Sequence, residues 1–226
     1  MQLPLPLKWD DTTTFASFYP GDNAQVIAYL KNFVQGLTEP CVYLYGVSGV
    51  GLTHLLRACC LVLNREGNAT AYLPLAKANF SPTILEGLES LALICLDDIE
   101  AVIQDAAWEE ALFHCYNRLL STGCRLLIAS HAPPVQHTWG LADLGSRLAA
   151  SVVFQVKPLA DEQKIAALQL RANAWGLGLS LEVGNYLIHH YSRDMHALQA
   201  ALEKLDQASY IAQRRLTIPF VKTILG

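Results

Sequence analysis

The sequence predicts an α/β fold in which helices cover both faces of a parallel sheet, followed by a small all-helical domain. Three observations favour this class. Short apolar runs alternate with helical patterns up to about residue 157, a glycine-rich loop joins the first run to a helix, and only helical patterns follow residue 158. Such alternation is typical of doubly wound parallel sheets, whose ligands bind beyond the carboxyl ends of the strands.

The change of pattern divides the chain into three expected segments. Residues 1–12 form a tail, residues 13–157 form the α/β domain, and residues 158–226 form the helical domain. The tail contains prolines at positions 4 and 6. Proline restricts its own φ angle and disfavours helix at the preceding residue, so we expect an extended tail.

The individual elements follow from the period of the apolar residues. The run Leu91–Leu96 is continuously apolar, as expected for a strand buried on both faces of a parallel sheet. Strands are expected at 41–45, 69–74, 91–96, 125–130 and 151–156, and helices at 22–36, 54–63, 106–120, 161–175, 181–191, 194–211 and from Pro219. The segment 75–89 is expected to be looser, and Arg147 is expected on a loop.

Composition restricts the class of protein. The chain has 226 residues, 52% of them hydrophobic and 16% charged, which suits one large domain or a domain with a small appendage. Mean hydropathy is high at +0.25, yet no apolar run approaches the length of a membrane span. Exposed apolar surface for a protein partner explains both facts. The N-terminus lacks the pattern of a secretory signal, so we expect a cytoplasmic protein without a membrane partner.

Cysteines and charge exclude further classes. The six cysteines lack C-x-x-C spacing and lie mostly in apolar segments, which indicates buried thiols in a reducing compartment rather than a metal site. A net charge of −4 and a pI near 5.9 disfavour a large phosphate-binding face. Direct binding of duplex DNA is therefore not expected.

The loop Gly46–Thr53 carries the strongest functional signal. It reads G-V-S-G-V-G-L-T and matches the phosphate-loop pattern G-x-x-x-x-G-K-[ST] except that Leu52 replaces lysine. Backbone N–H groups of such a loop and the following helix N-terminus attract phosphate, and the hydroxyl of Thr53 can hold magnesium. The loss of lysine removes a cation directed at the γ-phosphate. The alternative is a glycine-rich turn without a ligand.

Acidic residues follow a strand about 45 residues after this loop. Asp97 and Asp98 end the run 91–96, where carboxylates near the phosphates would hold magnesium and position water. A polar strand end is the alternative for this pair. Glu100 is either a further acid of the group or a solvated loop residue. Together, the loop and the acids indicate a nucleotide site.

A possible γ-phosphate sensor follows the fourth expected strand. His131 lies at that position, but histidine changes charge near neutral pH and is a poor fixed sensor. Ser130 is an equal candidate, and both side chains could simply satisfy a turn.

Six stretches of the chain resemble the DnaA-type AAA+ proteins, specifically the Hda group of DnaA-inactivating homologues. These stretches are 15–23 (FASFYPGDN), 53–56 (THLL), 96–100 (LDDIE), 116–120 (YNRLL), 140–148 (GLADLGSRL) and 216–222 (LTIPFVK). They span nearly the whole chain. The resemblance implies an AAA+ phosphate-loop domain followed by a helical lid domain.

The resemblance also implies roles for single residues. Arg147 matches an arginine finger that the family projects into a neighbouring subunit's nucleotide, although without the resemblance a salt bridge is the favoured interpretation. His196 falls where the family's lid arginine contacts the nucleotide. The implied nucleotide-binding residues are Phe15, Phe18, Gly46, Gly49, Gly51, Leu52, Thr53, Asp97, Asp98, His131 and His196, with Thr53 and Asp97 on the magnesium side. The implied cofactor is an adenine nucleotide, with ADP expected, together with magnesium.

The tail resembles a clamp-binding peptide. The segment Gln2-Leu3-Pro4-Leu5-Pro6-Leu7 is similar to the Q-L-x-L-P-L peptide by which Hda proteins bind the DNA polymerase sliding clamp, with Gln2, Leu3, Leu5, Pro6 and Leu7 as contacts. A proline-stiffened segment loses little entropy on docking. Pairing of the tail with a sheet edge is the alternative.

The expected function is that of an adaptor. With the DNA-loaded clamp, it would stimulate ATP hydrolysis by DnaA in trans, which inactivates the initiator and prevents re-initiation of chromosome replication. DNA contact would be indirect, self-association is left open, and the chain would not be a complete enzyme. DnaA initiators continue into a helix-turn-helix domain, whereas this sequence ends at Gly226. The alternatives are a self-sufficient ATPase of helicase-loader type, a docking module with a decayed nucleotide site, and an initiator acting directly on DNA.

Overall fold

A single parallel sheet forms the centre of the larger domain. In the computed structural model, which describes residues 12–77 and 79–226, five parallel strands have the order β2-β3-β4-β1-β5. The strands are β1 Cys41–Tyr45, β2 Thr70–Pro74, β3 Leu93–Asp97, β4 Arg125–Ser130 and β5 Val152–Gln155. In this register Val42 of β1 lies between Leu127 on one side and Val152 on the other. The order places the loop after β1 between the ends of β4 and β5, with the end of β3 one strand further along the sheet.

Helices cover both faces of the sheet, and a purely helical region follows it. The described α-helices are α1 Ala24–Val34, α2 Leu52–Arg65, α3 Ala106–Thr122, α4 Ala142–Ala150, α5 Asp161–Ala174, α6 Leu181–His190, α7 Met195–Ala212 and α8 Ile218–Leu225. Short 3-10 turns occur at Gly21–Asn23, Pro82–Leu85, Leu88–Ser90, Ile99–Val102 and Pro134–Gln136. No helix of the described residues is long and apolar enough to cross a bilayer.

The alternation of side chains along the strands explains the two-sided packing. Leu93 and Cys95 of β3 belong to the apolar cluster that includes α1 and α2, whereas Ile94 and Leu96 belong to the cluster that includes α3 and α4. Successive strand residues point to opposite faces, so a continuously apolar strand packs on both. All six cysteines, which lie within the described residues, are free and buried, as the sequence predicts.

The helical region has a core of its own. Leu168, Leu187 and Leu202 are completely buried in a cluster shared by α5 to α8. Buried Asn23 ties the start of α1 to the end of the α/β region: its amide donates to the carbonyl of Lys157 at 3.0 Å, and its side-chain oxygen accepts from the N–H of Lys157 at 2.7 Å. This pair holds the end of the α/β region next to the first lid helix.

The predicted fold class is confirmed, and the prediction for Arg147 is wrong at the level of local structure. Arg147 lies on α4 and not on a loop. The sequence Ala-Asp-Leu-Gly-Ser-Arg-Leu-Ala-Ala is short and contains glycine and serine within the helix, both weaker helix formers than alanine or leucine. The clamp-binding residues Gln2, Leu3, Leu5, Pro6 and Leu7 lie outside the described residues, and the segment boundaries stay a prediction.

Candidate nucleotide-binding site

The loop between β1 and α2 has the backbone of an anion-binding turn. Gly49 and Gly51 have φ angles of 85° and 97°, in the left-handed region that favours glycine. Successive residues in such conformations direct backbone N–H groups toward one concave side. A Cβ atom at Gly51 would lie 2.6 Å from the ring of Phe18, so a larger residue would displace that ring. The loop shape therefore depends on glycine at both positions.

The loop lines a cleft between the α/β region and the lid. The cleft has a volume of about 450 Å³, within the range of small-molecule sites. Its walls comprise Thr13, Ser17, Phe18, Tyr19, Val47 to Thr53, His54, Arg57, Lys77, Asp97, Asp98, His131, Leu159, Ala167, Arg171, Met195, His196 and Gln199. Most of the predicted nucleotide residues meet here.

Two predicted residues stand behind the cleft wall. Phe15 packs against the apolar cluster that includes α1 and α2 and does not line the cleft. A Cβ atom at Gly46 would lie 2.5 Å from the carbonyl oxygen of Val156, which makes glycine necessary where β1 passes the end of β5. Both residues would affect a bound ligand through the shape of the cleft wall and not by direct contact.

Asp97 forms the acidic end of the cleft. Only 2% of this residue is exposed, and its Oδ2 atom accepts hydrogen bonds from the Thr53 and Tyr72 hydroxyls, each at 2.7 Å. The phosphate-loop hydroxyl and the buried carboxylate are thus brought together from α2 and β3. Magnesium prefers oxygen ligands of this kind, so the donor set fits the predicted magnesium side.

Asp98 and His131 lie next to this acid with Glu100. Asp98 has a φ angle of 58°, which aspartate tolerates better than most residues. Burial and the negative charges of Asp97 and Glu100 raise the pKa of Asp98. Burial also opposes ionisation of Glu100, but its backbone N–H and the hydrogen bonds from His131 and Ser130 outweigh that effect and lower the Glu100 pKa.

The two sensor candidates differ in position. His131 lines the cleft, and its Nδ1 atom contacts a carboxylate oxygen of Glu100. Ser130 is buried and bonds to the His137 ring at 2.9 Å. Of the two, only His131 is within the cleft wall.

Leu52 and His196 stand where cations would be expected. Leu52 is only 9% exposed and belongs to the apolar cluster that includes Phe18 and Val50. On the lid side, a Cβ atom at Gly49 would lie 3.5 Å from the His196 ring, so the start of α7 closes onto the phosphate loop. The lid therefore reaches the loop, but with histidine rather than arginine.

Three cations of the cleft wall were not predicted from the sequence. Arg57, Lys77 and Arg171 all line the cleft. Arg57 is four residues after Thr53 on α2, a spacing that places both on the same helix face and could have revealed it. Arg171 comes from the lid helix α5, and no local pattern connects it to the loop.

Arg147 lies outside the cleft on a separate surface, which we call the Arg147 face: Arg147 with Phe113, Tyr116 and Asn117 of α3. The Arg147 Nη1 atom donates to Asn117 Oδ1 at 2.6 Å. Its guanidinium lies 4.8 Å from the Phe113 ring centroid and 5.8 Å from that of Tyr116. Both distances are within the range of cation–π contact. A hydrogen bond and two rings thus hold the side chain in one place.

A buried carboxylate positions the start of α4. Glu109 of α3 is 1% exposed and accepts from the backbone N–H groups of Gln104 at 2.8 Å, Gly140 at 3.1 Å and Leu141 at 2.5 Å. Hydrogen bonds to a charged group are stronger than bonds between neutral groups, so these three bonds help to offset the cost of burying the Glu109 carboxylate. Sequence reasoning missed Glu109 because a glutamate within a helix is ordinarily solvated.

Comparison with known proteins adds family information to this geometry. Residues 9–155 match the family model described as the bacterial DnaA ATPase domain, and residues 161–225 match the model described as the Hda lid domain. The two matches leave only short segments uncovered.

Solved structures show the same fold. Domain III of the replication initiation protein DnaA from Thermotoga maritima superimposes with a TM-score of 0.78 at 19% identity over 95% of this chain and 97% of that one. AMPPCP-bound DnaA from Aquifex aeolicus gives 0.75 at 20% identity over 90% and 68%. A single-site variant of RuvB from Thermotoga maritima gives 0.64 at 13% identity over 88% and 67%.

Proposed function

Because this chain belongs to the Hda family of DnaA-related AAA+ proteins, we propose that it inactivates the initiator DnaA by stimulating ATP hydrolysis on DnaA in trans. Arg147 would be the group that this chain contributes beside the DnaA nucleotide. The resulting ADP-bound DnaA would no longer start replication. DnaA completes the catalytic site, so the chain is an activator and not a complete enzyme.

The separation of Arg147 from its own cleft is the observation that carries this proposal. Arg147 is absent from the cleft wall, so it cannot serve a nucleotide bound there without a large rearrangement. Its guanidinium is nevertheless held by Asn117 and two aromatic rings. A cation fixed before binding stabilises developing phosphate charge without reorganisation, and an arginine finger accelerates hydrolysis by roughly 10³ to 10⁵ in GTPases.

The chain's own cleft would bind an adenine nucleotide, and we propose ADP. A structural relative, DnaA from Aquifex aeolicus, is bound to AMPPCP. The left-handed glycines Gly49 and Gly51 suit the phosphates, and Thr53 with Asp97 would hold magnesium, which neutralises phosphate charge when bound. Leu52 and His196 supply no fixed cation there, so we expect little hydrolysis by this chain alone.

We further propose that the tail docks on the sliding clamp. Gln2 offers an amide, and Leu3, Leu5 and Leu7 offer apolar anchors within a proline-stiffened segment. An extended, proline-stiffened peptide loses little conformational entropy when it binds. Its alternate apolar side chains can enter pockets on the partner. Docking would bring the Arg147 face to DnaA on newly replicated DNA, with DNA contacted through the clamp.

A DnaA hydrolysis assay with clamp-loaded DNA tests the proposal. Wild type should stimulate release of phosphate from ATP-bound DnaA, and Arg147→Ala should lose nearly all stimulation, by about 10³ if the finger acts fully. Arg214→Ala removes an exposed arginine outside both sites and should match wild type. Undiminished stimulation by Arg147→Ala would contradict the proposed role.

The same assay tests the tail. A Gln2→Ala, Leu3→Ala double variant should lose clamp binding and clamp-dependent stimulation, whereas an Asp10→Ala, Asp11→Ala variant of the same tail should keep both. Turnover of ATP by the purified chain without DnaA would instead favour a self-sufficient ATPase.

A further inference from the structure

The cations around the cleft are distributed unusually for a phosphate site. The loop position after Gly51 carries leucine, and the lid position beside Gly49 carries histidine. Both positions lie on the loop and lid sides of the cleft. Arg57 of α2 and Lys77, three residues after the end of β2, also line the cleft.

Arg57 lies about one helical turn after the loop hydroxyl of Thr53. It follows Thr53 by four residues on α2, so both side chains project from the same helix face. Its guanidinium lies 5.0 Å from the Tyr72 ring centroid, and the hydroxyl of that tyrosine bonds to Asp97 at 2.7 Å. Arg57, Thr53 and Asp97 are therefore linked through one tyrosine at the acidic end of the cleft.

Arg57 also keeps hydrogen-bonding capacity. It forms no ion pair within 4.0 Å with any acidic residue that the structure describes. A guanidinium has five N–H donors in a planar fork, and interaction with a single tyrosine leaves most of them for phosphate oxygens.

Of the other two cleft cations, Arg171 already has an acidic partner: it donates to Glu203 at 3.1 Å and stacks over Trp175 at 5.1 Å. Lys77, like Arg57, forms no ion pair within 4.0 Å among the described residues, and its charge acts on Asp98. Of the two cations outside described ion pairs, Arg57 is the one that shares a helix with Thr53, four residues after it.

We propose that Arg57 binds the terminal phosphate of the nucleotide and replaces, from the helix side of the cleft, the lysine that Leu52 displaced. This rests on the proposed nucleotide site and names the residue that gives the site its phosphate affinity. The guanidinium rotates from the Tyr72 ring toward the phosphate beside Thr53. Because Arg57 is linked through Tyr72 to Asp97 and Thr53, the residues proposed for the magnesium side, its effect concerns the terminal phosphate.

Calorimetric titration of the full chain with AMP, ADP and ATP tests the assignment. Arg57→Ala should weaken ADP and ATP binding by about tenfold or more, the range of one charge-assisted hydrogen bond, and AMP binding by less than about threefold. Arg65→Ala, an exposed arginine at the end of the same helix, is the matched control and should bind all three as wild type does.

A second variant separates phosphate binding from packing on Tyr72. Restoring the loop lysine in a Leu52→Lys, Arg57→Ala double variant should recover ADP affinity to within about threefold of wild type, which a purely structural role would not allow. Arg57→Gln keeps a planar side chain over Tyr72 and carries the test if Arg57→Ala does not fold.

Two results would overturn the assignment, and they are distinguishable. If wild type binds ADP and Arg57→Ala binds it equally, or loses AMP and ADP affinity to the same extent, Arg57 is not the phosphate ligand and the nucleotide site stands. If wild type binds none of the three nucleotides, the nucleotide site and the role of Arg57 both fall, while stimulation of DnaA by Arg147 is measured separately.

Discussion

The nucleotide cleft and the Arg147 face differ in whether a cation is held at the position where the family pattern expects one. In the cleft, Leu52 is packed among apolar residues and His196 stands beside Gly49, so the loop and lid sides offer no permanent cation at these two positions. On the Arg147 face, the guanidinium has a hydrogen bond at 2.6 Å and two aromatic rings around it. One region has reduced its catalytic charge, and the other has fixed a charge outside the nucleotide cleft.

This difference separates binding from catalysis within one AAA+ chain. Backbone N–H groups and a helix N-terminus retain attraction for phosphates even where the lysine is absent. Acceleration of hydrolysis requires a cation held in place when the transition state forms. In the function proposed above, Arg147 and the residues that hold α4 would meet that requirement.

The largest expected effect comes from Glu109, whose loss would break the Arg147 face. Glu109→Ala leaves the N–H groups of Gln104, Gly140 and Leu141 without their acceptor, so we expect a loss of about 3 kcal/mol in unfolding free energy. Chemical denaturation measures it. Glu110→Ala, which changes the exposed neighbour, should stay within about 0.5 kcal/mol of wild type. Equal stability of the two variants would contradict the anchoring role.

A variant at Asn117 tests whether the Arg147 guanidinium must be held in position or only needs to be present. Asn117→Ala keeps Arg147 and its aromatic contacts but removes the acceptor at 2.6 Å, so stimulation of DnaA hydrolysis should fall about tenfold. Asn185→Ala, on an exposed position of the lid, is the control. Full stimulation by Asn117→Ala would mean that the aromatic rings alone position Arg147.

His196 tests the cleft side of the comparison. His196→Arg adds a permanent cation beside Gly49 and should tighten ADP binding by up to about tenfold, which calorimetry or an ADP-dependent thermal shift measures. His189→Arg places the same charge on the exposed side of α6 and should leave affinity unchanged. If the two variants behave alike, the lid does not contact phosphate.

The smallest effect concerns Asp98. Its pKa is raised by burial and by the charges of Asp97 and Glu100, so its ionised form is disfavoured in the folded protein. The stability present below the unfolded pKa is lost as pH rises through the higher folded pKa. Asp98→Asn should therefore raise the Tm modestly at about pH 7, with the gain vanishing near the ordinary value of 3.8.

Asparagine suits this position because it also tolerates the left-handed backbone of residue 98. Asp143→Asn, at an exposed position of α4, provides the comparison and should show no such pH-dependent gain. A gain that persists unchanged to acidic pH would show that the ionisation of buried Asp98 is not its cause.

Much of the fold was predictable because its elements have strong local signals. The run 91–96 is apolar without interruption, and the structure has β3 at Leu93–Asp97. Pro219 lies in the first turn of α8, after the N-cap residue Thr217. Proline is favoured there because a backbone N–H at this position would have no partner within the helix. Helix α4 was not predicted because glycine is a weak helix former, and the reason for Gly145 is tertiary: a Cβ atom there would lie 2.5 Å from Trp139.

The candidate site was predictable in part. The loop pattern pointed to Gly49, Gly51 and Thr53, and the structure places all three in the cleft with Asp97 and His196. Arg57 and Arg171 were not predictable, because arginine on an amphipathic helix is ordinarily solvated and only packing shows which arginines face a cavity. Phe15 was predicted beside adenine; it packs against the core and does not line the cleft, and its relation to adenine stays a prediction.

By itself, the sequence determined the class of fold, the phosphate loop with its leucine, and the family to which the chain belongs. These rest on short-range patterns: period, glycine spacing and the order of motifs. The tertiary structure alone decided which charges matter. It brought Thr53 and Tyr72 onto Asp97, turned Arg57 toward the cleft, and fixed Arg147 against Asn117 away from it. Those contacts join residues from different elements. They depend on which side chains are buried and where each side chain points, and the local spacing of residues does not encode either.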